Sequence, residues 1–79
     1  MPYIPHDARI HALVEPKTPG ELNYAITTLV WNFIQFHGIN YKTFNEVVGV
    51  LECVKLELYR RQISAYEDKK MADNGDVYP

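Results

Sequence analysis

Residues 18–46 read TPGELNYAITTLVWNFIQFHGINYKTFNE, and this stretch holds one helix, its stop and the start of the next. Thr18 offers a hydroxyl at the N-cap, Pro19 stands at the first helical position, and Glu21 supplies a carboxylate three residues after the cap. That arrangement satisfies amide donors that a helix start leaves without partners. From there Leu22, Ala25, Ile26, Leu29, Val30, Phe33 and Ile34 recur at three-and-four spacing, and His37-Gly38 supplies the stop, so a helix is predicted over 19–37. Thr43-Phe44-Asn45-Glu46 repeats the start signal and predicts a second, longer helix over 44–72. Its stripe is Phe44, Val47, Val48, Leu51, Val54 and Leu58, continued more thinly by Ile63, Tyr66 and Met71. Asn74-Gly75 ends it, leaving a short tail over 74–79.

Working back from Thr18, residues 1–17 carry Tyr3, Ile4, Ile10, Leu13 and Val14, with Pro5 placed to open a short helix and Pro16 to close it. So short a helix is ordered only by docking. The link between the two long helices is short, which returns them antiparallel as a hairpin. The second helix then overhangs the first, and the N-terminal cap is expected to cover that overhang near Gln62 to Met71. The fold class expected is therefore all-α: one domain over 1–79, an antiparallel helical hairpin with a short N-terminal helical cap.

A chain of 79 residues, 47% hydrophobic and 13% aromatic, is too apolar for a disordered segment and too short for two domains. Cys53 is the only cysteine, which excludes an intrachain disulfide and a paired-thiol zinc site and suits a reducing cytoplasm; a small filler on a helix is its plainest role. Self-association is the remaining aid for so small a core. Trp31, Phe33 and Phe36 fall on more than one face of the first long helix, and Gly49 interrupts the second. These four are the expected subunit contacts. Asn32 and Gln35 break the most apolar run, which with the lack of a leader pattern predicts a soluble, cytoplasmic protein with no membrane partner. A formal charge of −2, with basic residues alternating with Glu52, Glu57, Glu67 and Asp68, argues against nucleic acid as a partner.

An antiparallel hairpin sets the start of the first long helix beside Glu57 to Arg61. This corner unites free helix amides, Asn23, two arginines and the rings of Tyr24 and Tyr59; Tyr66, Lys69 and Lys70 extend it, and Tyr3 reaches it from the cap. Arginine forks suit phosphate or carboxylate, and tyrosine faces stack on a base. The candidate ligand-binding residues are therefore Tyr3, Asn23, Tyr24, Tyr59, Arg60, Arg61, Tyr66 and Lys69. The plainer alternative is a solvated surface on which Glu21 caps its helix and Glu57 neutralises an arginine. Catalytic and metal chemistry find little purchase. His6 and His11 are five apart, Glu52 and Glu57 likewise, and Ser64 has no histidine nearby in sequence, so neither a catalytic residue, a metal ligand nor a cofactor is expected.

The run GVLECVKLELYRR over 49–61, with Ala65-Tyr66-Glu67-Asp68-Lys69-Lys70, Asn74-Gly75-Asp76-Val77-Tyr78, the Met-Pro-Tyr-Ile opening and Gly20-Glu21-Leu22-Asn23-Tyr24, resembles a family of short uncharacterised proteins of tailed phages and of bacterial and archaeal genomes. The resemblance implies a phage setting and brings no established activity. Phage sponges that sequester nucleotide immune signals are similar in architecture and setting, with a helical hairpin and tyrosine and basic residues lining pockets between subunits. By that analogy a homo-oligomer that binds and sequesters a small anionic, nucleotide-like ligand without transforming it is the first expectation. The second is an interaction protein that docks an aromatic helix face on a host or phage protein.

Overall fold

The computed structural model describes residues 1–79, and every regular element in it is helical: α1 over His6–Val14, α2 over Pro19–His37, α3 over Tyr41–Leu58, a π-turn over Tyr59–Ile63 and α4 over Ser64–Asn74. The chain is all-α, as its periodicity predicts. Its contacts divide it into an N-terminal unit, Met1–Phe44, and a C-terminal unit, Asn45–Pro79.

In the N-terminal unit, α1 starts after Pro5 and ends at Glu15, whose amide bonds the His11 carbonyl at 2.7 Å; Pro16 lacks the donor needed to go further. The helix packs on α2. Its packing face differs from the sequence expectation. Ala12 is fully buried, with Ala8 and Arg9 half-buried beside it, whereas Ile10 is 82% and Val14 85% exposed. Small side chains one turn apart let two helix backbones approach closely, so alanines rather than the bulky residues make the contact. The element that α1 packs on within its unit is its own neighbour, α2. The opening segment follows it down. A Cβ at Gly20 stands 3.2 Å from both Ile4 Cγ2 and the Met1 carbonyl oxygen, so the absent side chain leaves room for residues 1–4 against the first turn of α2.

The start of α2 is capped as its sequence predicts, the Glu21 amide donating to Thr18 Oγ1 at 3.1 Å, but only half of the reciprocal box forms. The Glu21 carboxylate takes the amide of Lys17 at 3.0 Å, one residue before the cap. At the far end Gly38 has φ 123°, and its amide closes on Ile34 at 2.8 Å.

The start of α3 departs from expectation by a full turn's worth of chemistry. Asn40 is the cap, its Oδ1 accepting from the Thr43 amide at 3.0 Å, so the helix begins at Tyr41 rather than Phe44. Asparagine caps better than threonine, and an amide three residues on is the group it satisfies. Thr43 becomes a buried residue of the first turn, and the link shortens to Gly38-Ile39-Asn40.

In the C-terminal unit the helix predicted as one piece contains a π-turn, closed by the Ser64 amide on the Tyr59 carbonyl. Leu58, Ile63 and Ser64 keep right-handed helical backbone, so α3 passes into α4 through it. The turn has a consequence for phase. Five residues span ~500° of an α-helix, which would carry Ile63 ~140° around from Leu58. A π-turn takes up one extra residue, so Ile63 succeeds Leu58 on the stripe and Tyr66 follows. Ile63 and Val47 are the half-buried residues of this unit; Val48, Leu51, Val54 and Leu58 are exposed, and so is Cys53, which corrects its reading as filler. The stop at Gly75, φ 90°, falls where Asn74-Gly75 predicts it, its amide bonding Met71 at 2.9 Å.

Candidate functional site

Three of the candidate binding residues belong to the N-terminal unit. Tyr3 is exposed on the opening segment. Asn23 Oδ1 accepts from the Thr27 hydroxyl at 3.0 Å, a pairing one helical turn long. Tyr24 is half-buried, and one face of its ring is taken: the Arg9 guanidinium carbon lies 5.4 Å from the ring centroid. Arg9 also donates from Nε to the Ile4 carbonyl at 3.2 Å. The sequence argument misses Arg9 because it weighs α1 by its apolar residues. Its neighbour Ala8 and its place three before Ala12 are the signal that puts it on the packed face.

In the same unit Glu21 Oε1 receives two contacts, the Lys17 amide at 3.0 Å and His11 Nε2 at 2.8 Å. Its side chain is largely covered. The Lys17 amide holds the carboxyl below the ordinary carboxylate value; burial opposes this, and the hydrogen bond and charge of His11 add to it. Glu21 is thus occupied within its own unit, by the Lys17 amide and His11 rather than by the cap amide that the plainer alternative gives it.

The other five, Tyr59, Arg60, Arg61, Tyr66 and Lys69, belong to the C-terminal unit, all exposed. Tyr59, Arg60 and Arg61 open the π-turn. Glu57 Oε1 meets Arg60 Nη2 at 2.8 Å and Arg61 Nη1 at 3.8 Å, so one carboxylate answers two guanidinium groups. In solvent such pairs are worth about 0–1 kcal/mol each, and one positive charge stays uncompensated. Lys70 rather than Lys69 attends Tyr66, its Nζ 5.6 Å from the ring centroid. Lys55 pairs with Glu52 at 3.1 Å, one turn upstream.

The expected contact residues are uncovered in the chain. Trp31 is 45%, Phe33 42% and Phe36 85% exposed. His37, read from sequence only as part of a stop, extends this patch: its ring lies 4.1 Å from that of Phe33 and 5.1 Å from that of Phe36, the latter edge-on. A Cβ at Gly49 meets nothing within 4 Å.

A family model described as a domain of unknown function, DUF6899, matches residues 1–77. The chain belongs to the DUF6899 family. No curated protein and no solved structure matches it. What the DUF6899 chain carries on its own residues is two basic groups set against rings, Arg9 on Tyr24 and Lys70 on Tyr66, and two arginines, Arg60 and Arg61, that follow Tyr59 in sequence and pair with Glu57. A shallow hollow of about 350 Å³ between α4 and the tail is bordered by Glu67, Asp68 and Asp76, a poor lining for an anion, and holds none of the candidate residues. No helix of the DUF6899 chain is long and apolar enough to cross a membrane.

Proposed function

We propose that this DUF6899 protein is a non-catalytic homo-oligomer that binds and sequesters a small anionic, nucleotide-like ligand in pockets between subunits. The observation that carries it is the pairing of Arg60 and Arg61 with a single carboxylate, Glu57, in the turn that the exposed Tyr59 opens. An incoming phosphate completes the charge balance there, and a ring next to it offers a face for a base. Tyr3, Asn23, Tyr24, Tyr66 and Lys69 complete the ligand's surroundings, and Trp31, Phe33, Phe36 and Gly49 supply subunit contacts. An antiparallel hairpin within each subunit is part of this reading and rests on the shortness of the link expected from the sequence. A phage setting, with the ligand an immune signal held away from its receptor in the host cytoplasm, rests on the family resemblance and its analogy to phage sponges.

Titration calorimetry of the purified oligomer with cyclic dinucleotides and ADP-ribose-type nucleotides tests this. Saturable binding at one ligand per pocket is expected, weakened at least tenfold by Arg60→Gln with Arg61→Gln. Absence of binding to every nucleotide removes the ligand-binding function.

The ring cluster of Phe33, Phe36 and His37, with Trp31 also exposed on the same helix, favours a second reading, a module that docks an aromatic face of α2 on a host or phage protein. That reading expects a monomer or dimer whose defined partner is lost with Trp31→Ala and kept in the double arginine variant.

A further inference from the structure

The geometry points to a second anion site, a phosphoryl-binding site built on Arg9 and Tyr24 in the N-terminal unit. It shares the ligand class of the proposed function and rests on that reading in this respect alone. Arg9 is held in two ways: Nε donates to the Ile4 carbonyl at 3.2 Å, and the guanidinium carbon lies over the Tyr24 ring, 5.4 Å from its centroid. The same side chain is half-buried, next to the fully buried Ala12. With Nε committed to a carbonyl and the charge over a ring, Nη1 and Nη2 form the edge left to bind. That edge is the two-toothed fork that matches two oxygens of a phosphoryl group.

What sets Arg9 apart is the lack of a carboxylate. Three acids are engaged elsewhere: Glu21 with His11 and the Lys17 amide, Glu52 with Lys55, Glu57 with Arg60 and Arg61. An anion arriving at Arg60 or Arg61 competes with Glu57, and both side chains are exposed. An anion arriving at Arg9 displaces nothing and meets a guanidinium already oriented, so little ordering entropy is lost on binding. Tyr24 is a positioning residue here: its ring supports the guanidinium rather than the ligand.

Three arginines make the test direct, since the side-chain Nε–Hε signals of Arg9, Arg60 and Arg61 are the only ones of their kind in the full chain. Arg→Lys variants assign them one at a time. In a titration of ¹⁵N-labelled protein with inorganic pyrophosphate at constant ionic strength, the Arg9 signal is expected to move saturably while the other two drift without saturating. Glutarate, a dicarboxylate, is expected to move it less. Tyr24→Phe keeps the response and Tyr24→Leu weakens it at least fivefold, with helix content by circular dichroism as the check on folding. A stationary Arg9 signal, three signals moving together, or equal effects of glutarate and pyrophosphate overturn the site. Failure here is separable from failure of the proposed function. Nucleotide binding with a silent Arg9 signal removes only this site, and a pyrophosphate response without nucleotide binding removes only that function.

Discussion

At the scale of single residues, Gly38 is where backbone conformation decides the identity of the side chain. Its φ of 123° lies in the region L-residues avoid, and an added Cβ stands 2.8 Å from Asn40 Nδ2, the amide of the cap of α3. Gly38→Ala is therefore expected to cost about 1–3 kcal/mol, read from urea unfolding, because backbone strain and a disturbed cap act together. Glu21 gives the pH dependence. Its folded carboxyl titrates below its ordinary value, so its contribution is fully present above the unfolded value and is lost as pH falls through the folded one. Melting temperature is expected to drop on acidification from about pH 5 to about pH 3, and Glu21→Gln to flatten that part of the profile by removing the titrating group. A profile in the variant as steep as in the parent assigns the acid lability elsewhere. The cap at Thr18 was legible from Thr-Pro-Gly-Glu, yet the partner of the Glu21 carboxylate was not. Lys17 and Thr18 present adjacent amides to the same carboxylate, and only the path of residues 15–17 after Pro16 selects between them.

Among the elements, α2 and the Gly75 stop follow from local chemistry, since each terminus has one residue suited to its role. The start of α3 does not, because Asn40 and Thr43 are both competent caps three residues apart, and sequence gives two starts of similar cost. The π-turn has no marker residue at all. Its trace is indirect: the stripe through Phe44, Val47, Leu51, Val54 and Leu58 resumes at Ile63 and Tyr66 only if one residue between them is surplus to an α-helix. Deleting Gln62 removes that surplus. The variant is expected to keep the phase of Ile63 and Tyr66 on a regular helix, retain its helix content, and melt at an equal or higher temperature. Nucleotide binding is expected to fall, since the deletion re-aims Arg60 and Arg61. A variant that loses helix content shows instead that the π-turn is required for the helix to form.

At the scale of the molecule, the amount of covered apolar surface is small. Ala12 and Ile34 are the buried apolar side chains, both in the N-terminal unit, and no side chain of the C-terminal unit is buried. Ordering a residue costs about 1–2 kcal/mol in backbone entropy, and burying a side chain such as leucine returns about 1.5–3 kcal/mol. In the C-terminal unit Val48, Leu51, Val54 and Leu58 return little of this while they stay exposed. On the proposed reading a second subunit covers them, and folding is then expected to be tied to assembly. The particle in solution is expected to have a mass that is a multiple of 9.2 kDa by light scattering. Its melting temperature is expected to climb with concentration, by about 3–6 °C for each tenfold increase. Leu51→Lys sets a charge in the middle of the stripe and is expected to lower both mass and melting temperature, whereas Glu46→Lys, off the stripe, leaves the mass unchanged. A particle of single-chain mass, melting at one temperature over a hundredfold range of concentration, requires the stripe to be covered within the chain, and intersubunit pockets then have no walls.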